Sequence, residues 1–146
     1  MLPNNPRSLE LTIPSRIEEM RTVHTLIARA VREFELDDET AFWIELTISE
    51  SMINAILHGN GSDPAKSATL KISSDGESIE IVVEDQGKGF DMEEIADPTA
   101  GANLLKSCGR GILIIRSFMD EVALSKREGG GSRLRMVKYL SGNHGS

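Results

Sequence analysis

Leu9, Leu11 and Ile13 alternate with Glu10 and Thr12, the period of two that marks a strand with one buried face, and Pro14 stops it. Ser15 followed three residues later by Glu18 reads as a capping box. Ile17, Met20, Val23, Ile27, Ala30, Val31 and Phe34 then recur at helical spacing. Asp37 and Asp38 cap a second helix, from about Glu39 to His58, and Gly59 to Pro64 has loop composition. Leu70 and Ile72 mark a short strand, and Asp75-Gly76 signals a hairpin. Ile79, Ile81 and Val83, set against Glu80 and Glu84, make the clearest strand of the chain. Asp85 continues the parity of Ile81 and Val83 and so points inward, where a carboxylate is costly unless something satisfies it.

From Gln86 to Cys108 there is no firm periodicity. Gly87, Gly89, Pro98 and Gly101 make the segment loop-like, with a short turn around Met92 to Ile95, and a loop of that length is usually a functional lid or disordered. After Gly109-Arg110-Gly111, the residues Ile112, Leu113, Ile114, Ile115, Phe118 and Met119 predict a heavily buried helix. Val122 and Leu124 form a strand, Gly129-Gly130-Gly131 a turn, and Leu134, Met136 and Leu140 a last strand, with Ser132 on its inward parity. No internal repeat or linker interrupts the pattern, so a single domain over residues 1–146 is expected. Two helices followed by strands, a helix and more strands predict an α/β two-layer sandwich, a mixed sheet with helices on one face.

Composition narrows the function classes. The 146 residues are 39% hydrophobic and 27% charged, enough apolar content for a real core. A formal net charge of −7 argues against direct nucleic-acid binding and permits a basic protein partner. The single cysteine, Cys108, excludes an internal disulfide and a cysteine zinc cluster and fits a reducing cytosol. No stretch approaches the roughly 20 apolar residues of a membrane span. The expectation is a cytoplasmic protein.

Three short motifs carry candidate chemistry. Within Glu45–Asn60, the polar residues Glu50, Asn54 and His58 recur every four positions, each step drifting by roughly 40° around a helix, so they line one stripe. A carboxylate and an amide one turn apart suit a site that takes a proton and holds a cation, and the same spacing also serves an ordinary solvated face. Asp85-Gln86-Gly87-Lys88-Gly89-Phe90 puts an inward acid before two glycines. That acid can accept from an exocyclic amine such as adenine's while the glycines admit a ligand close to the backbone; the alternative is a tight turn with a capping aspartate. Gly109-Arg110-Gly111 opens a helix, whose free amides favour phosphate, or it is a hinge into a core helix. There is no Walker-type phosphate loop and no readable Ser-His-Asp arrangement.

Taken jointly, in this order and spacing, the motifs resemble the ATPase domain shared by gyrase, Hsp90, histidine kinases and MutL. Glu50-x-x-x-Asn54 is similar to that superfamily's N box, Asp85-x-Gly87-x-Gly89 to its first glycine box and Gly109-x-Gly111 to its second. Ser132 stands where the superfamily often has a threonine at the adenine pocket. The resemblance implies the Bergerat fold, an ATP lid over about 90–108, Glu50 as catalytic base, Asn54 as Mg²⁺ ligand and Asp85 as the acceptor of the adenine amine. It adds Gly87, Gly89, Lys106, Gly109, Arg110, Gly111 and Ser132 to the ATP-binding set.

Local detail looks most like the bacterial anti-sigma factors that are serine/threonine kinases. The N box continues Asn54-Ala55-Ile56-Leu57-His58-Gly59-Asn60, and Gly109-Arg110-Gly111-Ile112 is followed by Phe118-Met119-Asp120-Glu121-Val122. Ala102 and Cys108 depart from that pattern. The resemblance implies ATP and Mg²⁺ as cofactors, a sigma factor and a small anti-anti-sigma protein of the STAS type as partners, and a homodimer. Two rival functions are a binding module shaped by ATP without transfer, and a detached histidine-kinase catalytic domain. The second is disfavoured by the His58-Gly59 extension of the N box, and no helix pair with an acceptor histidine is seen. His58 is expected as a structural helix-end residue, Cys108 as a serine substitute and Trp43 as packing.

Overall fold

The computed structural model describes residues 7–87 and 111–140. Its elements run β1 (Arg7–Pro14), a 3₁₀ turn (Ile17–Glu19), α1 (Met20–Glu33), α2 (Asp38–Asn54), a π turn (Ala55–Gly59), β2 (Ser67–Ser74), β3 (Ser78–Glu84), α3 (Gly111–Phe118), β4 (Glu121–Lys126) and β5 (Ser132–Tyr139). The strands form one sheet in the order β1-β2-β3-β5-β4.

Every pairing among the described strands is antiparallel, which corrects the expectation of a mixed sheet. β3 and β4 do run in the same direction, as a strand–helix–strand crossover implies. The β4–β5 hairpin, however, inserts β5 between them, so the parallel neighbours never touch. The α/β two-layer architecture stands.

Strand alternation becomes continuous rows across the sheet. Leu9, Ile72, Ile81, Met136 and Val122 pair in one row, and Leu11, Leu70, Val83, Leu134 and Leu124 in the next. Helices bury this face: Val23 and Ala30 of α1, and Ile44, Ile48 and Met52 of α2, are fully enclosed with it. The opposite face is polar, with Arg135 held between Glu80 at 2.5 Å and Glu121 at 3.4 Å.

Local signals decide most element ends. Asp37 caps α2, its Oδ1 accepting from Thr40 N–H at 2.7 Å. Asp75 closes the β2–β3 hairpin by accepting from the Glu77 and Ser78 amides, both at 2.9 Å. Ser15 does not form the expected capping box. It is buried, and its hydroxyl donates across the chain to the Lys66 carbonyl at 2.9 Å. The 3₁₀ turn begins after Arg16 with no side-chain cap. Trp43 is packing, as expected: it stacks on Phe118 with ring centroids 5.7 Å apart and so ties α2 to α3.

The central row sets a stability expectation. Ile81 is fully buried in the middle strand, so Ile81→Ala should cost about 2–5 kcal/mol in urea unfolding. A loss below about 1 kcal/mol would mean that the helices do not close over this row.

Candidate functional site

Asp85 sits one residue past the end of β3, where the ladder to β5 stops being regular. Its N–H still donates to the Ser132 carbonyl at 3.0 Å. The return bond from Ser132 N–H goes instead to the Asp85 side chain, at 3.2 Å to Oδ1, in place of the main-chain carbonyl that a regular antiparallel pair would use. Oδ1 also accepts from Gly87 N–H at 3.1 Å. The carboxylate is thereby drawn inward, on the parity the sequence predicts, and is only 3% exposed.

Three glycines close around it, and each is required by space. A Cβ on Gly59 would overlap the Asp85 carboxylate, one on Gly87 would overlap the Gly59 carbonyl, and one on Gly131 would overlap the Asp85 carbonyl. Gly131 also has φ +103°, a conformation side chains other than hydrogen rarely adopt. Burial pushes the Asp85 carboxyl above its ordinary range; the Gly87 and Ser132 amides and the charges of Arg127 and Lys66 hold back part of that rise. The buried acid is therefore ready to accept a donor that enters from outside the chain.

Helix α2 brings the second group of residues. Its buried positions include Thr47, Ser51 and Asn54, with Ser51 Oγ donating to the Thr47 carbonyl at 2.7 Å. Asn54 is 4% exposed, and its Nδ2 has no hydrogen-bond partner among the described residues. A buried amide nitrogen without a partner among the described residues is the kind of group an entering ligand completes. Glu50, one turn earlier, is half-buried and makes no ion pair among the described residues.

The stripe does not extend to His58. After Asn54 the helix widens into the π turn, with Asn60 N–H reaching the Ala55 carbonyl at 2.8 Å. The wider turn breaks the four-residue spacing, and His58 is exposed. The same widening delivers Gly59 against Asp85.

The structure thus brings Asp85, Gly87 and Ser132 into one contact set and puts Glu50 and Asn54 on one helix. Gly111 opens α3, as the second glycine motif requires. Gly89, Lys106, Gly109, Arg110 and the lid over 90–108 lie outside the described residues. Sequence reasoning did not single out Gly59 or Gly131 as walls of the site, nor Lys66 and Arg127 as the charges beside Asp85. The glycines at 59 and 131 were visible, yet nothing in their spacing says that both converge on one carboxylate.

Comparison with known proteins adds an independent line. A family model for the histidine kinase-like ATPase domain matches residues 13–138. An anti-sigma F factor of Heyndrickxia coagulans is 32% identical over 141 residues, covering 94% of this chain and 94% of that protein. The anti-sigma F factor of Anoxybacillus flavithermus is 29% identical over 140 residues, again covering 94% of each. That of Thermoanaerobacter pseudethanolicus is 29% identical over 134 residues, covering 90% of this chain and 93% of that protein.

The raised Asp85 carboxyl has a signed consequence for stability. A carboxyl whose folded pKa lies above its unfolded value of about 3.9 stabilises the fold fully below that value and loses this contribution as pH rises through the folded pKa. Asp85→Asn keeps an acceptor for both amides and carries no charge. Its urea midpoint should therefore gain on the parent's as pH rises from about 4 to about 7. Parallel pH profiles of the two proteins would contradict the buried-carboxylate assignment.

Proposed function

The chain belongs to the histidine kinase-like ATPase domain family, and from that premise we propose that it is an anti-sigma factor that uses ATP and Mg²⁺ to phosphorylate a serine or threonine of a small anti-anti-sigma protein. The observation that carries the nucleotide part is the Asp85 carboxylate, buried in a cradle of three glycines with its Oδ1 fixed by two amides. A carboxylate so held accepts an exocyclic amine and rejects a carbonyl at the same place, which suits adenine. The near full-length similarity to anti-sigma F factors supports the regulatory part. The acidic balance, −7 overall, suits protein partners rather than direct contact with DNA.

Roles follow from the chemistry of each side chain. Asp85 takes the adenine amine, with Gly87, packed on the Gly59 carbonyl, shaping the wall of the base pocket and Gly89 admitting the base close to the backbone. Asn54 fits the cation: its amide oxygen is a hard ligand, and its Nδ2, without a partner among the described residues, leaves a donor for a phosphate oxygen. Mg²⁺, when bound, neutralises charge on the phosphates. Glu50, one turn from Asn54, accepts the proton of the incoming hydroxyl. Gly109, Arg110 and Gly111, with Lys106 and Ser132, complete the nucleotide contacts. The acceptor hydroxyl belongs to a second protein, brought in line with the γ-phosphate, and a sigma factor competes for the same chain. A homodimer with ATP-set affinity for the two partners completes the switch, and no helix among the described residues is long and apolar enough to cross a membrane.

Two substitutions separate binding from transfer. Asp85→Asn should weaken ATP by about one to two decades in calorimetry. Glu50→Gln should bind ATP-Mg²⁺ nearly as the parent does and transfer phosphate roughly 10² to 10⁴-fold more slowly. The product on the anti-anti-sigma partner should survive acid and be cleaved by strong base. An acid-labile product would mark a histidine kinase, and ATP binding without any product would mark a binding module shaped by nucleotide.

A further inference from the structure

Asn60 follows the π turn and plays no part in the roles above, yet it is 3% exposed. Its amide is committed at both ends. Nδ2 donates to Ser15 Oγ at 2.6 Å and to the Ser67 carbonyl at 2.9 Å, while Oδ1 accepts from Gln86 N–H at 2.7 Å. Gln86 returns the link, its Oε1 accepting from Ser67 N–H at 2.6 Å. The end of β1, the π turn, the start of β2 and the exit of β3 therefore meet on one side chain.

Two of those strands of contact lead straight to the carboxylate. Gln86 N–H belongs to the peptide that follows Asp85, so the Asn60 bond holds the backbone from which the carboxylate hangs. Gly59, the residue before Asn60, packs its Cα on that same carboxylate, and Gly87 packs on the Gly59 carbonyl and on Asn60 Cα. Asn60 thus fixes the carboxylate from its own chain and fixes the wall opposite it. A satisfied buried amide network of this kind holds one geometry against its alternatives.

We propose that Asn60 is a positioning residue that fixes the direction of the Asp85 carboxylate and through it the preference for adenine over guanine, an inference that rests on the adenine reading of Asp85. Guanine carries a carbonyl where adenine carries its amine, so a rigid carboxylate repels it and a loosened one discriminates less. The bond from Oδ1 to Gln86 is the one that matters for this role. The bonds from Nδ2 to Ser15 and Ser67 hold the fold.

The test uses the full chain and reads ATP and GTP separately, by competition against a fluorescent ATP analogue. Asn60→Ala has no acceptor for Gln86 N–H. In Asn60→Ser the hydroxyl ends one bond short of both partners, so the direct acceptor for Gln86 N–H is lost, while the space left admits a water that can serve the Ser67 carbonyl and protect folding. In either variant, ATP affinity should fall about tenfold or more while GTP affinity stays within about twofold of the parent's. Ser15→Ala, which loses a Nδ2 contact and keeps the Gln86 bond, should retain the parental ATP-to-GTP ratio. A purely structural role lowers both nucleotides together, in step with the folded fraction. That result, a parental ratio in a folded Asn60 variant, or failure of both Asn60 variants to fold overturns the proposal. Should the parent itself not bind ATP, the adenine reading of Asp85 fails first; a parent that binds ATP beside an unaltered Asn60→Ala removes the positioning role alone.

Discussion

A carboxylate buried at the end of a strand persists only where the chain around it is thin enough to approach closely and polar enough to satisfy it. Asp85 meets both conditions. Its Oδ1 receives the Gly87 and Ser132 amides, and the glycines at 59, 87 and 131 leave no room for a side chain where they pack. Leaving this group ionised in the core has a free-energy cost, seen in the upward push on its pKa. Carboxyls displaced in this way cluster at functional sites.

Much of the rest of the fold follows from bringing those glycines together. Gly59 arrives because α2 widens into a π turn before the chain leaves it, and Gly131 arrives through the β4–β5 hairpin. The central sheet rows anchor both, since β3 and β5 are paired from Ser78 to Glu84 and the register carries Asp85 opposite Ser132. Trp43 stacking on Phe118 fixes α3 against α2. In this arrangement the helices hold the catalytic candidates and the sheet holds the base-recognition candidate.

The sequence made the helices, the hairpins and the inward direction of Asp85 and Ser132 legible, because each rests on local periodicity or turn chemistry. It could not reveal that β5 enters between β3 and β4. Strand parity is blind to neighbour order, and a strand–helix–strand pattern suggests a parallel pair. The Ser15 capping box misled for a similar reason: the Ser-x-x-Glu spacing is a local signal, and a long-range bond to Lys66 outcompeted it. His58 fell off the polar stripe because the four-residue period assumes an α-helix throughout, and the π turn ends that assumption at Asn54. Asn60 was visible only as the last letter of a motif; its four-segment junction is tertiary and has no local signature.

Recognition of the amine of an adenine ring by the Asp85 carboxylate is the proposal on which the other roles rest. It is tested most directly by a cycle between protein and ligand: calorimetry of ATP and of purine riboside triphosphate, which lacks that amine, each on the parent and on Asp85→Asn. Loss of the amine should weaken binding to the parent by roughly ten- to a hundredfold and change binding to Asp85→Asn by far less, since the contact is already gone. An equal loss in both proteins would contradict it, because the amine would then be recognised by some other group.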